Sequence, residues 1–169
     1  FRDRPLDSRR LVFGELVEGV FDRSCDRRSS AFRRAADRLG DALHGERLEA
    51  VYFGLDRLRD YTRRLVGRRV ERVGSRGKAM LIHFENGLTL YSHNQLYGRW
   101  YVSKRGTMPS TRRSLRVGLH TAAHSALLYS ASDIEVLTRA QAASHPYLAR
   151  LGPDVLDPDL SWREISRRL

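Results

Sequence analysis

Several side chains in this sequence are of types, and in settings, that could do chemistry. Lys78 follows Arg76-Gly77 between two strand-like runs, and Lys104 is the only other lysine in the chain. A turn amine can condense with an aldehyde, or it can simply be a solvated turn lysine. Gln95-Leu96-Tyr97 sets an amide, an apolar branch and an aromatic face side by side. Such a triple can fill a gap, stack and meet a polar edge, unless Leu96 and Tyr97 fold back onto a core as in an ordinary loop. Arg150 stands at the end of a short helical stretch before Leu151-Gly152-Pro153, where a cation is a favourable partner for the helix dipole. The six histidines, His44, His83, His93, His120, His124 and His145, show no metal-ligand spacing and are assigned structural or surface roles, with His93 and Asn94 shaping a loop. Cys25 is the only cysteine, so neither a disulfide framework nor a Cys-based zinc site is built within this chain.

Composition narrows the partners. With 31 Lys+Arg against 20 Asp+Glu, the formal net charge is +11 and the pI near 10.7. That balance favours an anionic partner, nucleic acid before anionic membrane, although arginine enrichment driven by the genome has the same signature. A single cysteine fits a reducing cytoplasm; no apolar stretch reaches membrane-spanning length, and Phe1-Arg2-Asp3-Arg4-Pro5 has no signal-peptide core behind it. At 169 residues the default is one principal domain. Opening on Phe rather than Met reads as a fragment, a processed product or a misplaced start.

The elements that must position these residues fall into three stretches. Residues 1–28 have no sustained period and read as an irregular extension. From Ser29 the residues Phe32, Ala35, Ala36, Leu39 and Leu43 share one helical face, with Ser29 or Ser30 as cap and Gly45 as stop. A short strand over 48–53 and a second helical stretch with Leu55, Leu58, Tyr61 and Leu65 follow. The period then changes to two. Strands are expected over 70–73, around Met80, Ile82 and Phe84, and over 88–92 after a Glu85-Asn86-Gly87 turn. Others are expected over 99–103, 115–120 and 126–130. After Ser132 the pattern reads as helical, with a Thr138/Gln141 capping box, Pro146 opening a short helix and Gly152-Pro153 stopping it. Ser161 and Glu164 begin one more helix. The fold class expected is α+β, mainly β: a two-layer antiparallel β-sandwich with flanking helices.

The motifs Arg33-Arg34-Ala35-Ala36-Asp37-Arg38-Leu39, Ser75-Arg76-Gly77-Lys78, Asn86-Gly87-Leu88-Thr89-Leu90-Tyr91-Ser92-His93-Asn94-Gln95-Leu96-Tyr97-Gly98, Tyr129-Ser130-Ala131-Ser132-Asp133-Ile134-Glu135 and Gly152-Pro153-Asp154-Val155-Leu156 closely resemble the endonuclease VIII branch of the formamidopyrimidine-DNA glycosylase family. The resemblance covers about residues 32–169 in the family's order and does not include residues 1–31. It implies an amino-terminal β-sandwich domain over 29–152 and, over 153–169, the truncated start of a helix-two-turns-helix domain. It also implies bifunctional glycosylase/abasic-site lyase chemistry on oxidised pyrimidines flipped from the duplex.

The same resemblance assigns roles. Lys78 matches the lysine that assists elimination, Gln95, Leu96 and Tyr97 the loop pushed into the gap left by the flipped nucleotide, and Arg150 a phosphate contact. Gly77 would let the backbone come close to a strand or phosphate. The family's nucleophile is the secondary amine of an amino-terminal proline, followed by a glutamate and by another three positions further on. Counting back from Phe32, those places hold Arg27, Arg28 and Ala31, so the chain is expected to be inactive. The implied protein is bacterial, cytoplasmic and nucleoid-associated, and monomeric. Its partner is duplex DNA with a damaged base or abasic site, its only cofactor a zinc in a carboxy-terminal finger absent here. The alternative is a non-catalytic DNA-binding or interaction module built on the same sandwich.

Overall fold

The computed structural model describes residues 23–93 and 97–151. The expectations placed on residues 1–22, on Asn94, Gln95 and Leu96, and on residues 152–169 lie outside the described residues.

Helix α1, Arg23–Leu43, begins earlier than a cap at Ser29 or Ser30 would allow. The end of the stretch expected to be irregular is therefore helical. No Gly or Pro stands between Arg23 and Ala31, so a helix nucleated by the apolar stripe propagates backwards unopposed. Ala36, Leu39, Ala42 and Leu43 on that stripe are buried. The helix stops as expected: Gly45 takes φ +78° and its N–H donates to the Val70 carbonyl at 2.8 Å.

Strand β1 is Ala50–Phe53. The second helical stretch divides into a 3-10 turn, Asp56–Leu58, and a short helix α2, Tyr61–Leu65, which bury Leu58 and Leu65. Then come β2 (Val70–Arg76), β3 (Ala79–Phe84), β4 (Leu88–His93), β5 (Arg99–Lys104), β6 (Leu115–His120), β7 (His124–Tyr129) and β8 (Asp133–Thr138). They form two four-stranded antiparallel sheets, ordered β2-β3-β4-β8 and β1-β6-β7-β5. Gly87 at φ +78° closes the β3–β4 hairpin, as the Asn86-Gly87 pair implies.

Met80, Ile82, Phe84, Leu90, Val117, Leu119, Ala126 and Leu128 fill the space between the sheets. Helix α1 touches β2 of one sheet and β5 and β7 of the other, so it closes one side of the sandwich. A second apolar cluster covers the outer face of the β2-β3-β4-β8 sheet: Ala79, Leu81, Tyr91 and Leu137 lie with Leu148, Tyr147 and Leu151. The last three belong to helix α4 (Pro146–Arg150) and the residue after it, and a short α3 (Arg139–Ala143) precedes them. Because both faces of β3 and β4 are covered, β3 is a nearly continuous apolar run and β4 is buried from Leu88 to Ser92, polar Thr89 and Ser92 included. Burying Leu148 in this outer layer contributes about 1.5–3 kcal/mol.

The segment after Ser132, expected to be helical, is strand β8 up to Thr138, paired with β4 from Leu88↔Thr138 to His93↔Asp133. Ile134 and Val136 enter the main core, and Leu137 joins the outer cluster. The helix waits for the capping box, which is present in both directions: Gln141 N donates to Thr138 Oγ1 at 3.3 Å, and Thr138 N donates to Gln141 Oε1 at 2.8 Å.

Candidate nucleic-acid interface

Pairing of Arg76 with Ala79 leaves Gly77 and Lys78 as a two-residue hairpin turn. Gly77 has φ +58°, which suits the first position of such a turn. A side chain there would meet the Tyr147 hydroxyl at 2.9 Å and the Leu151 methyls at 3.2 and 3.3 Å. The neighbour that Gly77 admits on this side is the α4 segment. Lys78 is exposed, and its backbone N–H donates to the Tyr147 hydroxyl at 3.0 Å.

The register Ala79↔His93 puts the Lys78 turn and the last residue of β4 at the same end of the sheet. Tyr97, the next described residue, is 69% exposed, so its ring projects rather than packing onto the core. Its carbonyl accepts a hydrogen bond from Arg113 Nη1 at 2.8 Å, which ties it to the loop between β5 and β6.

Behind the turn lies a polar and aromatic layer. His93 Nδ1 is 3.5 Å from Asp133, and the His93 ring rests on Tyr147 with centroids 4.4 Å apart. His145 Nε2 is 3.6 Å from Glu135, and its ring lies 4.3 Å from that of Tyr91. Burial pushes the Tyr91 hydroxyl well above its ordinary pKa, with Asp133, Tyr147 and Glu135 adding to the effect, so Tyr91 is neutral. Arg150 closes α4, as expected, and its Nε donates to the Pro146 carbonyl at 3.1 Å. Arg76 reaches the Leu151 carbonyl at 3.5 Å, bringing the end of this segment against the lysine turn.

Arg27 and Arg28, the places of the family's proline and glutamate, lie within α1. The Arg27 nitrogen is therefore a main-chain amide inside a helix. Tyr147 and Arg113 escape a reading by motif. Tyr147 follows Pro146 like any apolar residue of a short helix, and Arg113 is one arginine among many. Among the described residues no three His, Cys, Asp or Glu converge on one point, and no helix is long and apolar enough to cross a membrane.

These features define a class first: a basic, two-sheet β-sandwich domain with an exposed lysine turn and a strand leading towards a projecting tyrosine at one sheet end. Residues 32–132, more than half of the chain, match the formamidopyrimidine-DNA glycosylase N-terminal domain, and the chain belongs to that family. Among curated proteins it is 53% identical over 137 residues to Endonuclease 8 of Klebsiella pneumoniae subsp. pneumoniae, covering 81% of this chain and 52% of that protein. It is 55% identical, with the same coverage, to an Endonuclease 8 of Escherichia coli. The chain thus spans about half the length of the curated relatives it matches. Two Lactococcus lactis Fpg structures share the fold. One, bound to DNA containing an AP site, gives a TM-score of 0.62 at 14% identity over 73% of this chain and 49% of that one. The other, with N7-benzyl-Fapy-dG DNA, gives 0.59 at 13% identity over 70% and 45%. The family resemblance carried by the motifs and the mainly β sandwich are both borne out.

Proposed function

We propose that this chain acts in base-excision DNA repair as a domain of the endonuclease VIII type, binding duplex DNA at a damaged base or abasic site, and that it has lost base excision itself. The observation that carries the reading is the Lys78 turn, held at the sheet end from which Tyr97 projects, in a chain of net charge +11. The relatives' name, Endonuclease 8, and the damaged or abasic DNA in the structural neighbours point the same way. In this reading Lys78 assists elimination at the abasic sugar, and Gln95, Leu96 and Tyr97 fill the space of a flipped nucleotide. Arg150 meets a phosphate, and oxidised pyrimidines are the lesions. The domain works as a monomer near the bacterial nucleoid. In this reading the family's zinc belongs to a finger outside this chain; among the described residues no His, Cys, Asp or Glu cluster gathers.

The loss of excision follows from nitrogen chemistry. A free secondary amine can attack the anomeric carbon and expel the base, whereas the Arg27 nitrogen is an amide without a basic lone pair. The acid–base glutamates are replaced by Arg28 and Ala31. Lys78 retains a primary amine able to condense slowly with an abasic aldehyde, with loss of water, but not to expel a base. These replacements also favour a second reading, a non-catalytic DNA-binding module.

Borohydride trapping tests the proposal. The chain is expected to give no adduct on oxidised-pyrimidine duplex and at most a trace on abasic duplex, reduced further by Lys78→Ala. Binding to duplex should be micromolar or weaker at physiological salt and weaken steeply as salt rises. An abundant adduct that depends on the damaged base, with multiple turnovers when borohydride is omitted, refutes the loss of excision. Affinity indifferent to salt refutes the DNA reading.

A further inference from the structure

Resting on the DNA reading above, we propose that Tyr147 is a positioning residue that ties the Lys78 turn to the His93 end of β4 and so holds the lysine at one place on the DNA-facing edge.

One side chain makes both contacts. The Tyr147 hydroxyl accepts the Lys78 backbone N–H at 3.0 Å, while its ring lies 4.4 Å from that of His93 at an interplanar angle of 34°. The turn is shaped to receive it. Gly77 leaves open the volume that a Cβ would take from the Tyr147 hydroxyl and the Leu151 methyls. Tyr147 is itself held: Pro146 fixes the first turn of α4, Leu148 beside it is buried, and Tyr91 meets the Tyr147 ring edge-on at 6.4 Å. Apart from the Tyr147 hydroxyl, the hairpin tip is held by its ladder and by the exposed Arg76 bond to the Leu151 carbonyl, and exposed strand ends are where local opening begins. With the hydroxyl in place the Lys78 backbone is fixed from outside the sheet, so its exposed amine samples space from a fixed root. Such placement matters more for meeting one sugar than for general attraction to phosphate.

The test uses the full chain with Tyr147→Phe, which keeps the ring on His93 and removes the hydroxyl, and Tyr147→Leu, which removes both contacts. Two quantities are measured: hydrogen exchange of the Lys78 amide, and the ratio of affinities for a duplex with a tetrahydrofuran abasic analogue and for the intact duplex at one salt. Loss of one neutral hydrogen bond predicts that Tyr147→Phe speeds Lys78 exchange about three- to tenfold and lowers the affinity ratio by a similar factor. Tyr147→Leu should lower the ratio further. A residue that only stabilised the fold would move the melting temperature and leave the ratio alone. Unchanged Lys78 exchange in Tyr147→Phe overturns the tie. Faster exchange with an unchanged ratio overturns its positioning role while the DNA reading stands. A wild-type chain without preference for the abasic duplex instead overturns the DNA reading, and with it this use of the tie.

Discussion

Substituting Gly77 by Ala separates the two reasons why glycine stands in the lysine turn. At φ +58° an L side chain costs roughly 1–2 kcal/mol from backbone conformation alone. The added methyl would also lie 2.9 Å from the Tyr147 hydroxyl and 3.2 and 3.3 Å from the Leu151 methyls, so these side-chain tips must give way, an overpacking cost of roughly 1–3 kcal/mol. Gly106 supplies the control, because it has φ +82° and nothing within 4 Å of the corresponding position. Gly106→Ala should show the backbone cost only. For a chain of this length 1 kcal/mol moves the melting temperature by about 2–4 °C. Gly77→Ala should therefore melt roughly 2–12 °C below Gly106→Ala when both are followed by circular dichroism. Adding Tyr147→Phe to Gly77→Ala should recover part of the gap, since it deletes the nearest clashing atom. Equal melting temperatures for the two alanine variants would show that α4 does not rest on the lysine turn, and the account of Gly77 and Tyr147 would fail together.

Burial, with smaller contributions from Arg72 and Arg105 respectively, holds His83 and His120 below their ordinary pKa of 6.5. The unfolded chain then takes up protons that the folded chain resists, so their contribution is complete above about pH 6.5 and is lost as the pH falls through the lowered folded values. Melting followed from pH 8 to pH 5 should show this decline, and His83→Gln with His120→Gln should flatten it; an unchanged slope would refute the assignment. Arg113→Gln removes the donor to the Tyr97 carbonyl and should reduce the preference for abasic over intact duplex about threefold in a fluorescence-anisotropy titration, the effect of one exposed hydrogen bond. Arg27→Pro with Arg28→Glu and Ala31→Glu should leave the 169-residue chain unable to form a borohydride adduct with damaged duplex, whereas the same substitutions in a chain starting at residue 27 should gain one. Adduct formation by the longer variant would show that a free terminal amine is not required.

Much of the fold is legible because its signals are local. The stripe from Phe32 to Leu43, the alternation of Met80, Ile82 and Phe84, the Asn86-Gly87 turn and the Thr138/Gln141 box each declare their structure within a few residues. What is missed depends on neighbours distant in sequence. Strand β8 carries acidic residues at Asp133 and Glu135 beside a buried Leu137, and only pairing with β4 and cover from α4 make that pattern a strand. Helix α1 runs back to Arg23 because nothing stops it, and a missing breaker is a weaker signal than a cap. In the candidate site, Lys78 and Tyr97 are named from their motifs and are exposed in the structure, and Arg150 sits at its helix end as read. Tyr147 and Arg113 act through backbone atoms of Lys78 and Tyr97, and no residue type or spacing announces that kind of contact.

The sandwich and the family's chemistry make different demands on the same helix. The sheets need only the stripe of Ala36, Leu39, Ala42 and Leu43, which bridges β2 to β5 and β7 whatever precedes Phe32. The chemistry needs a chain terminus at the place of Arg27, with a basic nitrogen there and carboxylates at the places of Arg28 and Ala31. The helix running back to Arg23 meets the first demand and not the second, because the Arg27 nitrogen is a main-chain amide within it. The contacts that hold the lysine turn and the aromatic layer behind it come from β4, β8 and the α4 segment rather than from α1, so the fold can keep them whatever stands at the place of Arg27.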